Sequence, residues 1–215
     1  MIRLRFWAAL AFAGGLAANT AQAADNIEWR WRNALQPCGG DCAVAIYAGP
    51  VVSSNVQDIF FKGIPPWNFD FQNGGIVGGA VSRRIARVFH AFDIEGEVGI
   101  AKRFGDAHET EFWEAIYVRF TEFPWNKFLY TTFAVSTGIN YATGVSDFEK
   151  QHSNLTPPDG TRVLHFFSPE MTFALPDRKD LQLVIRLHHR SGAYNVISRA
   201  ASGATYLTAG VRFWF

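Results

Sequence analysis

"ATYLTAGVRFWF", residues Ala204 to Phe215, alternates without a break. Thr205, Leu207, Ala209, Val211, Phe213 and Phe215 fall on one side of an extended chain. Tyr206, Thr208, Gly210, Arg212 and Trp214 fall on the other. Successive side chains of a strand point to opposite faces, so a period of two reads as a strand with one apolar and one polar side. The stretch leaves open which side meets water.

The same period recurs upstream. Leu181, Leu183, Ile185 and Leu187 alternate with Gln182, Arg186 and His188. Val163, Phe167, Met171, Phe173 and Leu175 alternate with Arg162, Ser168, Glu170 and Thr172, which reads as one strand. Leu129, Phe133, Val135 and Ile139 alternate with Thr132, Ser136 and Asn140. Phe112, Ile116, Val118 and Phe120 alternate with Glu111, Tyr117, Arg119 and Thr121. Ile94, Val98 and Ile100 alternate with Glu95, Glu97 and Arg103, and weaker candidates lie near 76–86 and 43–53. The sum is eight strands, the smallest common barrel. Connections near 87–91, 122–127 and 176–180 are short, and 54–75, 143–160 and 192–203 are long. Short turns on the periplasmic side and long loops outside are the habit of outer-membrane barrels, with 105–110 as a short exception.

Alternation alone fits a soluble β-sandwich or lipocalin-like barrel equally well. The polar sets decide the expectation. Glu95, Glu97, Glu170, Arg119, Arg186 and Arg212 come from several strands and can pair inside a narrow barrel, while the apolar sets are bulky and continuous, as a lipid-facing wall needs. A strand closing on Phe215 resembles the C-terminal signal of bacterial outer-membrane proteins. The expected fold is therefore all-β: an eight-stranded antiparallel transmembrane β-barrel of the bacterial outer membrane.

The totals agree. The chain has 215 residues and a formal charge of +1, which suits one domain and argues against nucleic acid as a partner. Arg3 and Arg5, the apolar run Phe6 to Ala18 and Ala21-Gln22-Ala23 read as a secretory signal peptide over 1–23. Residues 24–42 then form a periplasmic segment and 43–215 the barrel. Cys38 and Cys42, in "CGGDC", favour a small disulfide loop in an exported chain, because a metal site needs more ligands than the neighbourhood offers.

"LVIRLHHRSGAYN", Leu183 to Asn195, carries the candidate chemistry. His189 and Ser191 share a face with Leu183, Ile185 and Leu187, so two polar side chains continue an apolar row. One reading places them harmlessly in the headgroup zone. The other is an acyl-transfer site, in which the imidazole takes the serine proton and amide donors hold the oxyanion. A site on the outer wall suits a lipid that slides in sideways.

"RLHHRSGAYN" near the end of the penultimate strand resembles the outer-membrane lipid A 3-O-deacylases, eight-stranded barrels that hydrolyse an ester-linked acyl chain. The resemblance covers about the last forty residues and the strand plan. It implies His189 as base, Ser191 as nucleophile and outer-leaflet lipopolysaccharide as substrate. Two positions depart from the family. Its oxyanion asparagine after the serine is Gly192 here, whose amide remains as a donor. Its acid on the last strand has no counterpart, since 192–215 hold no Asp or Glu and Thr205 or a neighbour stands near the expected place. Arg190, at the rim, is a candidate for a lipid phosphate. His188 reads as a structural lumen histidine.

His90, His108, His152 and His165 are scattered without metal-ligand spacing, and no cofactor is indicated. "PPWNFDF" and "FPWNKF" read as interface aromatics, the first also as a lid or acyl-chain groove. A homodimer is compatible with the pattern. The competing function is a non-enzymatic small barrel that stabilises the envelope or binds a partner. A porin is disfavoured because eight strands leave a filled interior.

Overall fold

The computed structural model describes residues 26–54, 56–151, 160–192 and 203–215. The signal-peptide expectation over 1–23 and His152 lie outside the described residues. The strands are β1 (Ile27–Trp29), β2 (Cys42–Val52), β3 (Phe71–Val88), β4 (Phe92–Gly105), β5 (Thr110–Phe120), β6 (Tyr130–Ala142), β7 (Val163–Phe167), β8 (Glu170–Leu175), β9 (Arg178–Ser191) and β10 (Ala204–Trp214). Two short helices, α1 (Val56–Phe61) and α2 (Asp147–Gln151), sit in the long loops.

The sheet closes on itself. The strands from β2 to β6 pair antiparallel in sequence order, β7 and β8 each lie between β6 and β9, β9 pairs β10, and β10 returns to β2 through pairs from Trp214↔Ala43 to Thr205↔Val52. With β7 and β8 counted as one wall strand and β1 as an addition at the end of β3, the ring has eight strands. Closure removes the unpaired edges that a sheet otherwise presents.

The faces are those the alternation predicts. Ile46, Val98, Ile139 and Leu183 are 62%, 57%, 57% and 51% exposed on the outside, whereas Arg103, Arg119, Arg186, Arg190 and Arg212 are among the largest fully buried side chains. A water-soluble barrel is built the other way round, so this wall is made for lipid. The inward row of β4 carries Gly99, where an added Cβ would meet the Trp113 ring at 2.0 Å, so the missing side chain makes room for the indole.

Charges taken from water need partners, and the lumen supplies them. Glu170 accepts from Arg119 Nη2 at 2.6 Å, Arg186 Nε at 2.7 Å and Arg212 Nη1 at 3.2 Å. Glu95 joins Arg119 and Arg212 at 2.7 and 2.6 Å, and Glu97 takes both Nη atoms of Arg186 at 2.9 and 2.8 Å. Toward the loop end Arg103 pairs with Glu111 and reaches Glu149 of α2 at 3.1 and 3.2 Å. His188 lies in a box of Tyr47, Trp113, Phe166 and Tyr206, with Nε2 3.0 Å from Glu111 and Nδ1 3.2 Å from the Tyr47 hydroxyl. The interior is packed with side chains rather than left as a channel.

Several expectations are corrected in detail. The strand expected over Val163–Leu175 is interrupted at Ser168 and Pro169. Proline brings no N–H to the ladder. Ser168 N donates instead to Ser136 Oγ at 2.8 Å, while Leu187 N still donates to the Pro169 carbonyl at 2.9 Å. The register across the break is unchanged, so Glu170 stays inside. The barrel begins at Cys42 rather than 43, and β3 runs well past the expected 76–86 at both ends. Cys38 and Cys42 are disulfide-bonded with Cα atoms 5.2 Å apart. The turn between β3 and β4 is tight, with Phe89 and His90 both at positive φ (51° and 58°) and Ala91 N donating to Val88 O at 3.2 Å, the geometry of a primed hairpin turn.

Glu170→Ala leaves three buried arginines short of a carboxylate. Removing one partner of a buried ionic group costs about 3–5 kcal/mol. Urea unfolding of the barrel from phospholipid vesicles is expected to show a loss of that order, against less than about 0.5 kcal/mol for a control in an exposed turn such as Asp177→Asn.

Candidate functional site

β9 delivers the two candidate residues. Its outward row is Leu181, Leu183, Ile185, Leu187, His189, Ser191, and the last two are half-buried. Their place is the loop end of the wall, where β9 gives way to the long connection toward β10. Along an extended strand their Cα atoms are about 6.6 Å apart on one face.

The ladder fixes what stands beside them. His189 lies across from Thr205 on β10 and from Phe167 on β7. The Thr205 hydroxyl sits 2.8 Å from His189 Nδ1 and is buried, so the imidazole is held from behind by a hydroxyl. Thr205 thus takes the place the sequence marked for an orienting acid. That contact leaves Nε2 for a reacting group. Among the described residues no hydrogen bond joins His189 to Ser191, although the two share a face.

His165 stands directly across β7 from Ser191, and its Nε2 is 2.9 Å from Thr137 Oγ1 on β6. The polar side chains Thr137, His165, Ser191, His189 and Thr205 therefore form a band across four neighbouring strands of the outer wall. His165 had looked like one of several scattered histidines. Only the pairing of β7 with β9 places it beside the serine.

The first long loop folds against the wall next to this band. Ile59 of α1 and Phe69 pack on Val52 and Leu187, with Ile64 and Leu207 at the edge. Leu187 is consequently 8% exposed rather than lipid-facing as expected. The loop forms an apolar shelf beside His189 and Thr205, a position that fits the groove reading of "PPWNFDF". The aromatic turn "FPWNKF" lies at the opposite end, where Phe123 stacks on Trp125 (4.8 Å) and the Trp125 indole donates to Thr131 Oγ1 at 3.0 Å.

Arg190 corrects a second expectation. It is fully buried, it donates to the carbonyls of Thr161 and Arg162 at 3.1 and 3.0 Å, and it stands 3.6 Å from Glu149. Strand parity turns it into the lumen, where it holds the end of the connection between β6 and β7, so it does not reach outward to a lipid phosphate. Gly192 is buried at the end of β9; Ala193 lies outside the described residues. Glu149, which sequence reasoning did not single out, reaches into the lumen from α2 as the partner of Arg103. An acidic residue in a loop gave no sign of this. Among the described residues no three His, Cys, Asp or Glu side chains converge as metal ligands.

Closed ring, apolar outside and ionic lumen together define a transmembrane β-barrel of the outer-membrane type. No family model and no curated protein sequence matches the chain. Among solved structures it is similar to the outer membrane enzyme PagL, at 12% identity over 80% of this chain and 98% of that one, with a TM-score of 0.47. It is similar to Neisserial surface protein A (NspA) at 12% identity over 84% and 100%, also with a TM-score of 0.47.

Two outcomes check this geometry. Thr205→Val removes the hydroxyl behind the imidazole: the ring nitrogen signals of His189 are expected to shift in NMR of the barrel in micelles, those of His188 to stay, and stability to fall by about 1 kcal/mol. Arg190→Ala is expected to leave lipopolysaccharide affinity unchanged while making the connection between β6 and β7 more accessible to protease.

Proposed function

We propose that this protein lies in the bacterial outer membrane and hydrolyses an ester-linked acyl chain of lipid A, with Ser191 as nucleophile and His189 as base. The observation that carries the reading is the placement of a serine and an imidazole on the lipid-facing wall, the imidazole anchored through Nδ1 by Thr205 at 2.8 Å. Polar groups are costly on such a wall, and a substrate with its acyl chains in the membrane meets them without entering the barrel. The resemblance of "RLHHRSGAYN" to the lipid A 3-O-deacylases supports the same assignment. The loop end then faces outside the cell, at the level of lipopolysaccharide.

The reaction follows from the residues. His189 takes the proton of Ser191 as its Oγ bonds to the acyl carbon. Backbone N–H groups after Ser191, Gly192 among them, are the candidate donors to the oxyanion. The sugar oxygen leaves with the proton from His189, and water then releases the fatty acid. Thr205 fixes the ring but brings no negative charge to support the imidazolium, so turnover is expected to be slow. The orienting acid is the least costly member of such a triad to lose.

One observation favours a second reading, a non-enzymatic barrel that binds or stabilises the envelope: among the described residues the partner of His189 Nδ1 is the Thr205 hydroxyl and not a carboxylate. Mass spectrometry of lipid A separates the two. Cells carrying the protein are expected to show lipid A short of one acyl chain, and cells lacking it or carrying Ser191→Ala to show the full set. Identical lipid A in all three favours the second reading. Thr205→Glu, which restores a carboxylate, is expected to raise the deacylated fraction.

A further inference from the structure

Resting on the Ser191–His189 reading, a second imidazole acquires a role. β7 and β9 pair so that His165 is directly across from Ser191, both facing outward. Residues opposite one another carry Cβ atoms about 4.5–5.5 Å apart, closer than His189 is along its own strand. His165 is held from its far side, where Nε2 lies 2.9 Å from Thr137 Oγ1. The surrounding outward positions, Val135, Ile139, Val163 and Ile185, are apolar and exposed. A histidine and a threonine bonded to one another on that surface serve no lumen contact, and the ladder sets Ser191 directly opposite the histidine.

The chemistry has a use for what such a residue supplies, beside the backbone N–H groups after Ser191. Acyl transfer needs hydrogen-bond donors at the oxyanion, and the position after the serine is Gly192, which has no side chain to give. We propose that His165 donates the N–H of Nδ1 to the oxyanion formed at Ser191, with Thr137 as the positioning residue that donates its hydroxyl to Nε2 and so keeps the ring proton on Nδ1. The balance is simple. Ser191 Oγ bonds to the acyl carbon, the serine proton goes to His189, and the carbonyl electron pair moves to oxygen, where the His165 N–H meets it. Collapse restores the carbonyl, breaks the bond to the sugar oxygen and returns the proton from His189 to that oxygen. Water repeats the sequence on the acyl-serine. His165 keeps its proton throughout.

The test is steady-state hydrolysis of lipopolysaccharide by the purified barrel in detergent micelles, with free fatty acid measured by mass spectrometry. Heat-modifiable gel mobility verifies that each variant is folded. His165→Ala is expected to lower kcat about 10²-fold, the order found on losing one oxyanion donor, with KM within twofold. His165→Gln, which retains a donor, is expected to recover part of the loss, and Thr137→Val to lower kcat by less than His165→Ala. Covalent labelling of Ser191 by a fluorophosphonate probe is expected to slow in parallel. Unchanged kcat in His165→Ala overturns the proposal while leaving Ser191 and His189 standing, as does equal loss in the Ala and Gln variants. Activity that survives Ser191→Ala overturns the hydrolase reading itself and this proposal with it.

Discussion

The ionic lattice inside the ring is the constraint on which the rest of the structure depends. Glu170 and Glu95 together hold Arg119, Arg186 and Arg212. These groups are costly to desolvate and tolerable only in each other's company. Their mutual pairing fixes which side of every strand points inward. Once that is set, period two leaves no freedom for the other side. The apolar rows must form the outer surface, and lipid is the environment in which such a surface is stable.

The candidate site is a consequence of the same parity. His188 and Arg190 fall inside, where Glu111, Tyr47 and the loop carbonyls satisfy them. His189 and Ser191, one position on in each case, fall outside. A single-residue slip of β9 would exchange the pairs. The lattice prevents that slip, because Arg186 cannot leave without stripping Glu97 of its guanidinium and Glu170 of one of its three. Structural charges in the lumen thus hold a serine and two imidazoles at the lipid surface.

Much of this was legible in the chain. The two faces of β4, β5, β6, β9 and β10 are legible in the alternation, a local property, and the acidic and arginine residues on one face mark it as the inner one. Closure, register and the reach of loops are not local. The pairing of His165 with Ser191 depends on the register that β9 takes against β7 beyond the Pro169 break and the irregularity near Leu175, which no spacing in the sequence states. The cover over Leu187 comes from Ile59 and Phe69, more than a hundred residues away in the chain. The burial of Arg190 follows from parity, yet its outward reach was entertained because a long side chain at a rim can bend. The break at Pro169 carried a signal, the missing N–H, that the alternation masked because parity continues through it.

Facing direction is the claim beneath all others, and it can be measured. A nitroxide is attached through single cysteines at 181 to 185 of β9, where the native cysteines are bonded to one another and take no label. In phospholipid vesicles, relaxation by dissolved oxygen is expected to be high at 181, 183 and 185 and low at 182 and 184. A water-soluble nickel complex is expected to reach none of the odd positions. Strong relaxation by nickel at 183 and 185 would contradict the account, because the surface assigned to lipid would then be wet.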